Sequence, residues 1–106
     1  TINDGCVLVA YAGIAIGDDT MIGEYTSLRD ANHGIAPGTP VHAQPHVAQP
    51  VSIGRDVWLG RGVVVLKGVS IGDGAVAGAN SVVTKSVDSA TIVAGVPARV
   101  LGRREA

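Results

Sequence analysis

A six-residue repeat runs through the second half of this chain and restricts its fold more than any other feature. From Ile53 to Asp88 the sequence divides without a break into six hexads. The first position is aliphatic or alanine, the second is glycine in four of six, and the third is mostly charged. The fourth is Gly, Asn, Asp or Ser, of which Gly, Asn and Asp tolerate a positive φ in a turn. The fifth is small and mostly valine. Each hexad therefore predicts one short strand and one turn, with positions one and five pointing inward.

Repeated hexads of this kind predict a solenoid. Three strand-and-turn units close a triangular coil, and successive coils stack as parallel strands about 4.8 Å apart around one continuous core. The first third carries the same pattern with a two-residue slip at Ile14-Ala15, and its hexads start at Ile2, Leu8, Ile16, Ile22 and Leu28. Five hexads before His33 and seven from Val47 onward predict about four coils.

The composition fits a narrow, regular core. Apolar residues make up 46% of the 106 residues, yet aromatics are only 3% and phenylalanine is absent, so large side chains cannot fill a conventional core. The net charge of −1 gives no indication of nucleic acid or an anionic membrane as partner. The chain contains neither a long apolar run nor a signal-peptide pattern, which favours a soluble cytoplasmic protein. The single cysteine, Cys6, is expected to be a small buried apolar residue.

One segment breaks the repeat. Residues 34–46 contain three prolines and no six-residue register, so they are predicted to leave the solenoid as an excursion loop that projects toward a neighbouring subunit. We expect a single domain over 1–106, organised as N-terminal coils, the loop, regular coils and a C-terminal strand with a basic tail, over 1–33, 34–46, 47–88 and 89–106. The chain starts inside the repeat, which suits either a fragment or a short member of a longer family.

Histidines lie at this break. His33 closes the last hexad before the loop and is the first candidate for proton transfer near neutral pH. Its neighbours Asp30 and Asn32 are candidates to orient the imidazole or contact a substrate, or they are simply turn-forming residues. His42 and His46 could complete a three-histidine zinc site with His33, or be ordinary loop residues.

Two further features point to a ligand. Trp58 is the only tryptophan and occupies an outward position, so it either packs under the loop or a second subunit or lines a groove. Positive charge concentrates near the end of the chain, which indicates either a solvated tail or a site for a polyphosphate. The residues concerned are Lys85, Arg99, Arg103 and Arg104.

Together these stretches resemble the hexapeptide-repeat O-acetyltransferases, in particular the galactoside and maltose acetyltransferases and those that decorate bacterial polysaccharides. The resemblance covers about two-thirds of the chain, in the family's order and spacing. The stretches that carry it are Asp-Ala-Asn-His-Gly-Ile (30–35), Val-Ser-Ile-Gly-Arg-Asp-Val-Trp-Leu-Gly (51–60), Gly-Val-Ser-Ile-Gly-Asp (68–73), Ala-Gly-Ala-Asn-Ser-Val-Val-Thr-Lys (77–85) and Ala-Gly-Val-Pro-Ala-Arg-Val (94–100).

The resemblance implies a left-handed parallel β-helix, a homotrimer with active sites between subunits, acetyl-CoA as donor and a saccharide or similar hydroxyl compound as acceptor. His33 matches the family's general base, and no metal is expected. Trp58 matches a tryptophan of the cleft, and Gly78 and Ala79 match the contact with the pantetheine arm. The residues that match the phosphate-bearing end of CoA are Thr84, Lys85 and Arg99, with Arg103 as substitute for a basic position that is Gly102 here.

The chain departs from the family at its front, where the helical region of the sugar acetyltransferases is absent from this sequence. That region commonly contributes acceptor contacts, so the acceptor stays open between sugars, antibiotics and other hydroxyl compounds. Two other readings remain. One is a zinc carbonic anhydrase on the same solenoid, although the three histidines lie in one short region. The other is a non-catalytic structural or ice-binding solenoid, although threonine is too sparse for a regular ice-binding array.

Overall fold

Short strands dominate the protein. The computed structural model describes residues 1–105, and its regular structure consists of strands and one turn of 3₁₀ helix, Val41–Ala43. The strands are β1 (Val7–Val9), β2 (Ile14–Ile16), β3 (Met21–Ile22), β4 (Ser27–Arg29), β5 (Ala31–His33), β6 (His46–Ala48), β7 (Val51–Ile53), β8 (Trp58–Leu59), β9 (Val64–Val65), β10 (Ser70–Ile71), β11 (Val76–Ala77), β12 (Val82–Val83), β13 (Thr91–Ala94) and β14 (Arg99–Arg103). Within this described part, no helix is both long and apolar enough to span a membrane.

Three parallel sheets form the walls of a triangular coil. The first contains β1, β4, β9 and β12, the second β2, β7 and β10, and the third β3, β8, β11 and β13. In the regular part each residue pairs with the residue three hexads later, as Val65 does with Val83 and Leu59 with Ala77. The first sheet has four strands stacked in register, so the predicted all-β solenoid of about four coils is confirmed.

The hexad positions take the orientations that the sequence predicts. First and fifth positions fill the core, and Leu59, Val63 and Val65 are fully buried. Five of the six fourth positions adopt positive φ, as at Asp56 (φ 53°) and Asn80 (φ 60°), and Ser86 is the exception. Second positions lie where coils touch: a Cβ on Gly60 would stand 2.9 Å from the backbone nitrogen of Ala79, which real side chains do not tolerate. The repeat is therefore a packing rule for a core of small side chains.

The two-residue slip in the first coil produces an enlarged corner. Leu8 pairs with Leu28, twenty residues later, whereas the coils after Val51 repeat every eighteen. The extra residues lie between β1 and β2, at Tyr11-Ala12-Gly13. This corner lies beside the point where the loop leaves the solenoid, because Tyr11 contacts Asp30, the residue directly before β5.

The excursion differs from the sequence prediction at both of its ends. β5 and β6 form an antiparallel hairpin in which Ala31, Asn32 and His33 pair with Ala48, Val47 and His46. The hexad predicted to begin at Val47 is therefore not part of the coils, which resume at Val51 in β7. The prediction failed because Val47-Ala48 imitates the start of a hexad, whereas Val47 is half exposed and pairs outside the solenoid.

The C-terminal segment also forms more structure than a tail. β13 continues the third sheet beside β11, and after a turn the chain returns as β14, antiparallel to β13. The two arginines predicted to bind phosphate, Arg99 and Arg103, are thus the first and last residues of a strand. The antiparallel return places them next to the last coil.

Candidate active site

His33 lies at the end of β5, outside the solenoid and exposed to solvent. Its partner across the hairpin is His46, and the centroids of the two imidazole rings are 4.5 Å apart. The other neighbour of His46 is Tyr11, whose ring stacks on it at 4.4 Å with an interplanar angle of 21°. The candidate base therefore belongs to a row of three aromatic rings that two separate parts of the chain supply.

Asp30 has a different role from the one expected. Its carboxylate is fully buried and accepts hydrogen bonds from the backbone N–H groups of Tyr11 (2.8 Å to Oδ1), Ala12 (2.7 Å to Oδ2) and Gly13 (2.6 Å to Oδ2). It anchors the enlarged corner and does not hydrogen-bond to His33, so its predicted role as a direct orienting partner is corrected. The two-residue slip leaves three successive backbone N–H groups without a partner in a neighbouring coil. The Asp30 carboxylate accepts hydrogen bonds from all three.

These contacts set the ionisation of Asp30. Burial acts to raise the pKa of this carboxyl, but the N–H donors of Gly13, Tyr11 and Ala12, together with its own, hold the pKa below its ordinary value. Asn32 is exposed and alternates with His33 along β5, so it faces the other side of the hairpin. It remains a candidate for contact with a substrate, since no structural partner of its side chain lies within residues 1–105.

Trp58 lies on the outer surface of the third sheet with 54% of its surface exposed. Its register partners are Met21 and Val76, so an apolar strip runs across the coils. Beside this strip is a depression of about 410 Å³ that Trp58 lines together with Gly78 and Ala79. The structure thus brings the three residues predicted to contact a pantetheine arm into one groove. Gly78 has a packing reason as well, because a Cβ there would lie 3.1 Å from that of Ala94.

A second cleft, of about 390 Å³, gathers the predicted phosphate-binding residues. Thr84 and Lys85 follow β12, while Arg99 and Arg103 come from β14, and all four line the same cleft. The lining contains three cationic side chains and only one carboxylate, that of Asp88. The cleft is therefore electropositive and suits a ligand that carries several negative charges.

Arg104 was grouped above with the basic residues that could bind a polyphosphate, but it does not line the terminal cleft. Its guanidinium donates hydrogen bonds to the Asp56 carboxylate (3.1 Å) and to the backbone oxygens of Asp56 (3.3 Å) and Gly74 (3.1 Å). The backbone N–H of Arg104 donates to the backbone oxygen of Ala90 (2.7 Å). It fastens the end of β14 to the corner of the solenoid beside Arg103. The sequence gives no signal of this contact, because the contact depends on the antiparallel return of β14.

The predicted site residues thus form three separate groups within one chain. His33 lies with His46 and Tyr11, Trp58 lies with Gly78 and Ala79, and the cations line the terminal cleft. Among residues 1–105, none of the depressions lined by Trp58 or by Lys85 includes His33. The three histidines do not converge: His42 lies in the 3₁₀ helix, and the described residues contain no cluster of three or more His, Cys, Asp or Glu placed to hold a metal.

Comparison with known proteins gives a consistent result. Residues 50–85 match the family described as the hexapeptide repeat of succinyl-transferase. The chain is 38% identical over 108 residues to a putative lipopolysaccharide biosynthesis O-acetyl transferase of Escherichia coli (strain K12), covering 94% of this chain and 55% of that protein.

Solved structures show the same fold. A hexapeptide-repeat acetyltransferase from Vibrio cholerae O1 biovar eltor, in complex with acetyl-CoA, superposes with a TM-score of 0.92 at 38% identity, over 99% of this chain and 57% of that one. A galactoside acetyltransferase in complex with CoA gives a TM-score of 0.86 at 34% identity, over 92% and 48%. The predicted resemblance to hexapeptide-repeat acyltransferases, with their left-handed β-helix, is confirmed. The chain spans about half the length of the curated relatives it matches.

The Asp30 anchor yields a prediction about acid stability. Because the folded-state pKa lies below the ordinary value of 3.8, the stabilisation from this carboxylate is complete above that pH and is lost as pH falls through the folded-state pKa. We expect the thermal denaturation midpoint of the wild-type protein to fall steeply as the pH drops below this ordinary value toward the folded-state pKa. Asp30→Asn, which cannot accept all three N–H groups, should be less stable at pH 7 and less sensitive to acid.

The matched control for this measurement is Asp18→Asn. Asp18 is exposed, and within residues 1–105 its carboxylate accepts no hydrogen bond. This variant should follow the wild-type curve at each pH. An Asp30→Asn protein with the same midpoint as Asp18→Asn at pH 7 would show that the buried carboxylate does not stabilise the corner.

Proposed function

We propose that this chain is the β-helix domain of an acetyl-CoA-dependent O-acetyltransferase that acts on a hydroxyl group of a saccharide or a similar small acceptor. The observation that carries the proposal is the terminal cleft, where Thr84, Lys85, Arg99 and Arg103 meet although they come from two parts of the chain. Charge-assisted hydrogen bonds from arginine and lysine suit the phosphates of CoA. A non-catalytic solenoid gives no reason for such convergence.

The groove beside Trp58 would hold the rest of the donor. The pantetheine arm is long and uncharged, and it suits a groove lined by Trp58, Val76, Gly78 and Ala79. Ala79 is exposed at a corner of the coil, where its backbone is open to a ligand. The relatives with acetyl-CoA or CoA bound support this choice of donor.

His33 would act as general base in a direct transfer. Its imidazole takes the proton of the acceptor hydroxyl while that oxygen forms a bond to the thioester carbonyl carbon. Backbone N–H groups stabilise the negative charge on the carbonyl oxygen. The tetrahedral intermediate then breaks its C–S bond, and the imidazolium returns the proton to the departing thiolate. A covalent acyl-enzyme is unnecessary, because a thioester is already an activated acyl donor.

The site would be assembled from two copies of the chain in a homotrimer. The reason is the separation of His33 from the grooves lined by Trp58 and by Lys85 within one chain. A hairpin that projects from one solenoid can place His33 over the groove of its neighbour, as the family resemblance implies. The names of the relatives support a saccharide acceptor, since one is a galactoside acetyltransferase and another acts in lipopolysaccharide biosynthesis.

The first test is acetyl transfer to a panel of methyl glycosides, maltose, amino alcohols and hydroxylated antibiotics, followed by release of the free CoA thiol. With the best acceptor, His33→Ala should lower kcat by about 10²–10⁴-fold, the usual contribution of a general base. His42→Ala, an exposed histidine in the 3₁₀ helix, is the matched control and should keep wild-type activity. Undiminished activity of His33→Ala in a protein of unchanged oligomeric state would contradict the assignment of the base.

The terminal cleft can be tested through the donor. Lys85→Ala and Arg99→Ala should each raise KM for acetyl-CoA about 10-fold or more, since a hydrogen bond to a charged group contributes about 1.5–3 kcal/mol. With S-acetylpantetheine, which lacks the nucleotide phosphates, both variants should match the wild type. Arg29→Ala removes a cation on the outside of β4 and serves as control. Equal losses with both donors would mean that the cleft does not bind the phosphates.

The shared site can be tested by mixing subunits. Neither His33→Ala nor the double variant Lys85→Ala/Arg99→Ala should be active alone at low acetyl-CoA concentration. Co-expression should produce mixed trimers in which some sites combine an intact His33 from one subunit with an intact cleft from another, so activity should rise above that of both parents. Co-expressed protein no more active than its parents would favour sites contained within one chain.

A further inference from the structure

The hairpin pairing places His46 directly against the candidate base. The bonds that hold the hairpin run from Gly34 N to Pro45 O (3.1 Å) and from Gln49 N to Asp30 O (2.8 Å). Hydrogen-bonded and non-hydrogen-bonded pairs alternate along an antiparallel ladder, so the His33–His46 pair is a non-hydrogen-bonded one. Side chains are closest at such pairs, which explains the 4.5 Å between the two ring centroids.

Tyr11 closes the row of rings from a different part of the fold. It lies on the enlarged corner of the first coil, and its ring stacks on that of His46. Its backbone N–H is bound to both oxygens of the Asp30 carboxylate, at 2.8 and 2.9 Å. Asp30 directly precedes β5, so one buried side chain fixes both the corner that carries Tyr11 and the start of the strand that carries His33.

His33 contacts the ring of His46. Within residues 1–105 no hydrogen bond reaches its imidazole, and the ring is exposed on a hairpin outside the core. An imidazole in that position can rotate about its two side-chain torsions, which changes the direction of its nitrogen lone pair. A base must hold that lone pair toward the hydroxyl it deprotonates.

We propose that His46, supported by Tyr11, is a positioning residue that holds the His33 ring in the orientation needed for proton abstraction. The inference rests on the proposed transferase function, and it adds a pair of residues from outside the stretches that define the family resemblance. The contact is through ring faces, so the feature that matters at position 46 is a flat ring and not a titratable nitrogen. Tyr11 acts one step further away, by limiting the movement of His46.

The experiment compares ring-removing with ring-preserving variants of the full chain. With acetyl-CoA and the best acceptor of the panel, His46→Ala should lower kcat roughly 10- to 100-fold, the range expected for a misplaced catalytic group, with KM for acetyl-CoA unchanged. His46→Phe should recover most of that loss. Tyr11→Ala should show a smaller loss than His46→Ala, and Tyr11→Phe should recover it. His42→Ala is the matched loop control.

A second readout does not depend on activity. In protein labelled at histidine, the ring-proton resonances of His33 should shift in His46→Ala through loss of the neighbouring ring current, and those of His46 should shift in Tyr11→Ala. If His46→Ala fails to fold, Tyr11→Ala and His46→Phe still test the row of rings from different positions.

The outcomes separate the two proposals. Wild-type kcat in His46→Ala, or a His46→Phe protein as impaired as His46→Ala, overturns the positioning role while an inactive His33→Ala still supports the base. Unmoved His33 resonances in His46→Ala overturn the ring contact itself. A wild-type protein that releases no thiol with any acceptor overturns the proposed function, and the positioning role with it.

Discussion

The regular coils of this solenoid are hydrogen-bonded to each other at a spacing of eighteen residues, and the packing of the core depends on that spacing. The bond from Val64 N to Ser81 O and that from Trp58 N to Ala75 O are two steps of the same pattern. Because these bonds join successive coils in register, each inward side chain stacks on an inward side chain of the next coil. The core can then consist almost entirely of valine, isoleucine, leucine and alanine. The cost is that second positions must stay free of side chains where backbones touch, as at Gly60.

The regular half of the fold is predictable because a repeat states the same physical requirement six times. Inward valines, positive-φ turn residues and the parallel stacking all follow from the hexads after Ile53. The hairpin was harder to predict from the sequence, because Val47-Ala48 fits the local hexad pattern. Only the pairing of this segment with β5 shows that it lies outside the coils. A short-range pattern cannot reveal an antiparallel partner fifteen residues earlier in the chain.

The candidate site shows the same division. Trp58, Gly78 and Ala79 share a groove because the coils fix their spacing, so their proximity could be expected once the register was known. The contacts of Asp30, His46 and Arg104 could not be expected in this way. Asp30 binds a corner that exists only because of a two-residue slip, and Arg104 reaches Asp56 only because β14 turns back. Each depends on an irregularity, and irregularities have no period from which to predict their geometry.

The β5–β6 hairpin and its loop interrupt the coil spacing at one place. Leu28 and Val65 pair directly in the first sheet, although thirty-seven residues separate them where the other coils of that sheet need eighteen or twenty. The additional residues leave and re-enter the solenoid at a single corner, so the strands on either side of them stay paired in register. Length and sequence in this segment are therefore free to change without a cost in the core. The Trp58 groove and the terminal cleft, in contrast, are lined by residues of the coils and of β14, which this segment does not interrupt.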